Sequence, residues 1–144
     1  MRVVLERVSM GAVTVNKEIV SQIESGYLLL VGFTHADTDE ITAKMAQKIA
    51  NFRIMDDENG KMNRTISDLG GKILAVPQFT LYADTSGRRP GFMDAAPPSQ
   101  ANDLFDSFVF QLTSQNLVVE TGTFGAFMTV ESKNEGPLTL YLEM

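Results

Sequence analysis

Apolar and polar positions change rhythm several times along the chain. From Arg2 to Val8 they alternate imperfectly, Val13 to Val15 repeats the alternation briefly, and Ile19 to Ile23 resumes it after the turn-like Asn16-Lys17, so the first third predicts strands. Tyr27 to Phe33 is instead a continuous apolar run after Gly26, the pattern of a strand buried on both faces. From Asp37 to Phe52 the period becomes helical, with Ile41, Met45, Ile49 and Phe52 on one face beside Ala46. Asp37 and Glu40 there have the spacing of a capping box. Asp56-Asp57-Glu58-Asn59-Gly60 reads as a turn, with Asn59-Gly60 a strong hairpin signal. Lys72 to Leu81 predicts another strand, interrupted by Pro77, which cannot donate to a ladder and so marks an edge, a bulge or the strand's exit. A second helix opens at Pro97-Pro98-Ser99 and carries Ala101, Leu104, Phe105, Phe108 and Leu112 on one stripe. Ala126 to Glu131 and Leu138 to Leu142 predict two closing strands around a loop from Ser132 to Pro137. Roughly eight strands and two helices predict a mixed α/β fold: a curved, barrel-like mixed sheet with the helices packed outside. No repeat or linker-like composition break interrupts residues 1–144, which are expected to form a single domain.

Composition is that of a globular protein, 44% hydrophobic and 21% charged. The apolar run at Tyr27 is far too short to cross a bilayer, and the first residues lack a secretory signal, so no membrane association is expected. The absence of cysteine excludes disulfides, thiolate metal sites and a cysteine nucleophile, and agrees with a cytoplasmic location. The net charge of −6 limits any nucleic-acid contact to a local patch. The most basic short stretch is Gly87-Arg88-Arg89-Pro90-Gly91-Phe92, with Lys61 and Arg64 forming a weaker one. Arginines beside an aromatic suit a phosphate and a stacked base; a flexible polar loop is the plainer reading.

Candidate chemistry is sparse. His35 is the single histidine, which rules out a histidine-rich metal site, and its place beside a helix start reads as surface or capping rather than catalytic. The acidic turn at Asp56 faintly resembles a calcium loop, but its twelfth position is Ser67 where a bidentate glutamate is needed. No metal and no cofactor are expected. Pro77-Gln78-Phe79-Thr80-Leu81 lies at a strand end, where unpaired backbone N–H groups can serve as an oxyanion hole, though ordinary strand residues read the same way. Gly136-Pro137 can adopt a cis bond and lets backbone approach a ligand closely; a tight turn is the simpler alternative.

Two of these segments belong to a wider resemblance. Gln78-Phe79-Thr80-Leu81-Tyr82-Ala83-Asp84, Gly87-Arg88-Arg89-Pro90 and Asn134-Glu135-Gly136-Pro137-Leu138-Thr139 resemble signature segments of the D-aminoacyl-tRNA deacylase family. The likeness continues, in order, through Arg2 to Val8, Gly60-Lys61-Met62-Asn63, Asp94-Ala95-Ala96-Pro97 and Phe124-Gly125-Ala126-Phe127-Met128. It implies a homodimer acting on the 3′ end of aminoacyl-tRNA, cleaving D-aminoacyl esters and glycine mischarged on alanine tRNA. By the same resemblance Gln78, Phe79 and Thr80 line the reaction pocket, with Pro77, Met128, Asn134 and Arg7 supporting it. Gly136 and Pro137 correspond to a Gly-cisPro pair that enters the partner's pocket and sterically rejects L-amino acids. Arg88 and Arg89 are the residues expected to meet tRNA. Catalysis in the family is attributed to backbone oxyanion stabilisation assisted by the tRNA 2′-hydroxyl; Thr80 as a covalent nucleophile is the alternative. The chain departs from the family at Pro77, which stands where a serine is usual and removes a hydroxyl and an N–H. A related animal branch with relaxed chiral selectivity also carries proline there. Two competing readings stay open: a non-catalytic dimer of the same fold binding tRNA ends or other nucleic acid, and a small-molecule or protein-interaction domain consistent with the acidic charge.

Overall fold

A computed structural model describes residues 1–144. Its eight strands and two α-helices agree with the mixed, barrel-like expectation. The long strand β1 (Arg2–Val15) turns at Asn16 and Lys17, both left-handed (φ 51° and 68°), into β2 (Glu18–Ile23). Two consecutive left-handed residues match the twist of a tight hairpin, and asparagine tolerates that conformation. β3 (Gly26–Gly32) continues the return, so β1 pairs with β3 through Arg2 to Val8 and with β2 from Gly11 onward. The two alternating stretches predicted at Arg2 and Val13 are therefore one strand.

After β3 the chain crosses over through α1 (Asp39–Ala50) and the short hairpin β4 (Met55–Asp56) and β5 (Met62–Arg64). It returns as β6 (Lys72–Pro77), parallel to β3, and α2 (Pro98–Thr113) leads to β7 (Val118–Thr121), parallel to β6. Parallel neighbours need such long crossovers, and here both helices land on one face of the sheet. Their stripes bury Met45, Ala46 and Ile49 from α1 and Leu104, Phe105, Phe108 and Leu112 from α2 against Leu5, Leu29 and Ile73. A smaller cluster, Val8, Val13, Ile23, Leu28, Leu74 and Val76, fills the opposite face where the sheet curls over itself. β3 is thus covered on both sides, as its unbroken apolar run predicts. β8 (Thr129–Glu143) closes the structure by pairing with the free side of β1 along almost its whole length.

Several predicted boundaries are corrected. β6 ends at Pro77, and Phe79–Tyr82 is a 3-10 turn rather than strand. The two closing strands are one, because residues 135–138 bulge out of a continuous ladder: Glu6 pairs with Thr139, Val8 with Asn134, and only Arg7 stands opposite the extra residues. β7 had no periodic signal, being four residues long. The capping box does not form either. Thr38 is the N-cap, and the Asp37 carboxylate is engaged elsewhere: Oδ1 accepts from the Met1 amine at 2.6 Å and Oδ2 from the Thr34 N–H at 2.8 Å. This ion pair is almost wholly shielded, with the side chains 0% and 2% exposed. Breaking a buried pair leaves an uncompensated charge in a poorly polarisable interior. Asp37→Ala is expected to lower unfolding free energy by about 3–5 kcal/mol in denaturant titration.

Candidate functional site

The parallel strands β3 and β6 end at one edge of the sheet, and their exits form the floor of a cleft of about 700 Å³. Val31 and Phe33 come from the β3 end, Val76, Pro77, Gln78 and Phe79 from the β6 end, and Pro98 and Ala101 from the start of α2. Phe124 to Met128, the segment before β8, forms another wall. Fourteen of the twenty lining residues are hydrophobic, and His35 is the only titratable one.

The turn after Pro77 is set by β3. The Gln78 N–H donates to the Val31 carbonyl at 2.7 Å, which extends the parallel ladder one residue past the strand. Leu81 and Ala83 N–H then donate back to the Gln78 and Thr80 carbonyls, at 3.2 and 3.1 Å. The first N–H groups of a helical turn have no acceptor within it. Those of Phe79 and Thr80 accordingly donate to no group of the chain. The turn sits this close to β3 because residue 32 is glycine: a Cβ there would lie 2.8 Å from the Gln78 carbonyl oxygen and 3.0 Å from Leu81 Cβ. Pro77 pairs opposite Val31 at the strand's exit, so its missing N–H interrupts no rung that the sheet continues.

Side chains around the turn are mutually engaged. The Gln78 amide donates to the Thr80 hydroxyl, and the Phe79 and Phe92 rings meet edge to face at 5.0 Å. His35 Nε2 lies 2.8 Å from the Met93 carbonyl oxygen. Burial pushes the Tyr82 phenol's pKa upward, so it stays protonated. Met93 and Phe127, 87% and 93% exposed, stand on the rim as apolar surface open to a ligand or another chain.

The structure therefore brings Pro77, Gln78, Phe79 and Met128 together in one cleft. Thr80 lies on the same turn but is not among the residues that line the cleft. Arg88 and Arg89 are exposed on the neighbouring loop closed by the Asp84–Gly91 bridge, with no acidic partner. In that loop the Ser86 N–H donates to Asp84 at 2.9 Å and holds its carboxyl below the usual range. The remaining predicted residues form a separate group on the bulge of β8. The Gly136-Pro137 bond is cis. Asn134 clasps the bulge, its Oδ1 accepting from Leu138 N–H and its Nδ2 donating to Thr139 Oγ1, both at 2.8 Å. Arg7, 13% exposed, donates to the Glu135 carbonyl at 3.2 Å and to the Ile54 carbonyl and Asp56 carboxylate at 2.9 Å. Gly136, at φ +126°, leaves room for this arginine, since a Cβ would lie 3.1 Å from its Nη2. Neither Gly136 nor Pro137 lines the cleft of its own chain. Sequence reasoning missed Phe33, His35 and Met93 as cleft residues, because only the packing of separate loops at one sheet edge brings them together.

Comparison with known proteins gives this arrangement a family. The model of the D-Tyr-tRNA(Tyr) deacylase family matches residues 4–143. The curated relative from Bacillus cytotoxicus, named D-aminoacyl-tRNA deacylase, is 54% identical over 144 residues, spanning 99% of each chain. One from Exiguobacterium sibiricum with the same name is 52% identical over the same extent. A solved structure named c-Myc DNA Unwinding Element Binding Protein superposes with a TM-score of 0.93 at 38% identity, covering 100% of this chain and 99% of that one. Another, described as a probable eukaryotic D-amino acid tRNA deacylase, shares the fold at a TM-score of 0.85 and 19% identity, covering 99% of this chain and 98% of that one. With the family model matching from β1 to the end of β8, the chain belongs to the D-Tyr-tRNA(Tyr) deacylase family.

Proposed function

We propose that this protein is a D-aminoacyl-tRNA deacylase, hydrolysing the ester that joins a D-amino acid, or mischarged glycine, to the 3′ end of tRNA. The observation that carries the chemistry is the turn Phe79–Tyr82, which presents two unpartnered backbone N–H groups beside an apolar cleft. Fixed N–H donors stabilise the oxyanion of a tetrahedral intermediate without reorganising as charge develops. No carboxylate, lysine, arginine or cysteine lines the cleft, and the Thr80 hydroxyl is engaged by Gln78. A threonine nucleophile would lack a base, so the assignment of Phe79 and Thr80 rests on their backbone and that of Gln78 on holding the turn. The neighbouring 2′-hydroxyl of the substrate's ribose assists attack on the ester.

Chiral rejection is assigned to Gly136 and Pro137, acting in the cleft of a partner subunit. Their loop is pinned by Arg7 and Asn134 yet lies outside its own chain's cleft, so a homodimer supplies the geometry that one chain does not. Residues 1–144 act as one domain, Met128 and Pro77 shape the wall, and exposed Arg88 and Arg89 make a few phosphate contacts with tRNA. The site of action is the cytoplasm, where tRNA is charged; no helix is long and apolar enough to cross a membrane. Pro77 is compatible with the reaction, because the Gln78 N–H reaches the Val31 carbonyl and the turn forms with proline in place.

The test is hydrolysis of D-Tyr-tRNA, L-Tyr-tRNA and glycine on alanine tRNA by pure protein. Loss of the D and glycyl esters with the L ester spared is expected. Loss of all three would remove chiral rejection, and loss of none would leave a tRNA-end binding dimer. Two variants separate backbone from side-chain catalysis. Gly32→Ala displaces the turn and is expected to lower kcat about 100-fold or more, whereas Thr80→Ala is expected to stay within about 10-fold of wild type. A Thr80→Ala protein without measurable turnover would point to the hydroxyl instead.

A further inference from the structure

The 3-10 turn is anchored at its entry by the Gln78 N–H and by close packing on Gly32. Its exit has a different anchor. The last carbonyls of a helical turn lack internal donors, and that of Leu81 accepts from Arg2 Nη1 at 2.8 Å. The same guanidinium is fixed from two further sides. Its Nε donates to Glu143 Oε1 at 2.7 Å, and its central carbon lies 4.3 Å from the centre of the Tyr82 ring. Tyr82 is the buried residue of the turn itself. One side chain from the start of β1 thus ties the end of β8 to the turn that carries the unpartnered Phe79 and Thr80 amides.

Stability alone is a poor account of this arrangement. The Arg2 and Glu143 side chains are 30% and 49% exposed, and ion pairs open to water contribute little. Orientation is what a guanidinium does well: its donors lie in one plane at fixed angles, and its face stacks on an aromatic ring. With Leu81 held in that plane and Tyr82 against the face, the turn cannot tilt freely about its entry.

We infer that Arg2 is a positioning residue for deacylation, setting the direction of the Phe79 and Thr80 N–H groups through its grip on Leu81 and Tyr82. This rests on the backbone-oxyanion reading above. A tilted turn still leaves the apolar cleft to bind substrate, so the loss falls on kcat rather than KM.

The experiment compares Arg2→Met, Arg2→Lys and Glu143→Gln in the full chain, by steady-state kinetics on D-Tyr-tRNA and by the backbone amide signals of Phe79 and Thr80 in NMR spectra. Arg2→Met is expected to lower kcat about 10- to 100-fold, with KM changed by no more than about twofold. Arg2→Lys keeps one donor for Leu81 and is expected to recover part of the loss. Glu143→Gln leaves the Leu81 contact and is expected to stay within about threefold of wild type. The Phe79 and Thr80 amides should shift in Arg2→Met and hold their positions in Glu143→Gln. A folded Arg2→Met protein with unchanged kcat would overturn the assignment, as would a loss of kcat that only tracks a loss of folded protein. If the wild-type protein hydrolysed no D-aminoacyl ester, the deacylase reading would fall, and unmoved amides in Arg2→Met would then separately overturn the hold on the turn.

Discussion

The site depends on how closely the chain after β6 can lie on the end of β3. Backbone N–H groups are useful for catalysis only if they are aimed and then kept from moving, and a loop alone does neither. Here the parallel ladder runs one residue past Pro77, to the Gln78 N–H on Val31, and hands the chain to a turn seated on Gly32. Both strands are buried in the middle of the sheet, with the two helices on one face and the smaller apolar cluster on the other. The precision of the turn is borrowed from that core.

The same division of labour explains why the Gly136-Pro137 loop sits apart from the turn. β8 lies along β1, and a bulge is the means by which a ladder pushes out a loop without losing register. Arg7 stands opposite that bulge and is held by Ile54 and Asp56 on its other side. The loop bearing Gly136 and Pro137 is therefore fixed to the body of the protein, not to the cleft. The acidic net charge fits a substrate grasped at its end, where apolar walls and few phosphates are involved.

Much of this was legible in the sequence where a single physical signal dominated. The unbroken run at Tyr27 named the doubly covered strand, the stripe from Ala101 to Leu112 named a helix face, and a strand exit was one of three readings that Pro77 left open. Signals failed where tertiary structure outbid local pattern. Asp37 and Glu40 have capping-box spacing, but a buried ammonium is a stronger claimant for a carboxylate than a helix N–H. Residues 132–137 read as a loop because their polar, Gly-Pro composition lacks alternation, although β1 pairs with both flanks and makes them one strand. Of the cleft, Pro77, Gln78, Phe79 and Met128 were singled out through resemblance to a family, while Gly136 and Pro137, singled out the same way, lie outside it. His35 and Met93 were not, since nothing local marks a residue as facing a cleft assembled from distant loops.

The central claim, that the turn of one subunit works against the loop of the other, is tested most directly by mixing two defective proteins. A Gly136→Ala protein has an intact turn but a displaced loop, and a Gly32→Ala protein has the reverse. Subunit exchange between them creates one complete site per heterodimer, measured as the ratio of L-Tyr-tRNA to D-Tyr-tRNA hydrolysis. The ratio is expected to be high for Gly136→Ala alone and to fall as excess Gly32→Ala subunits are added, with D-Tyr-tRNA hydrolysis retained. A ratio that stays constant after subunit exchange would contradict the account, because it would mean that each chain's loop serves its own cleft.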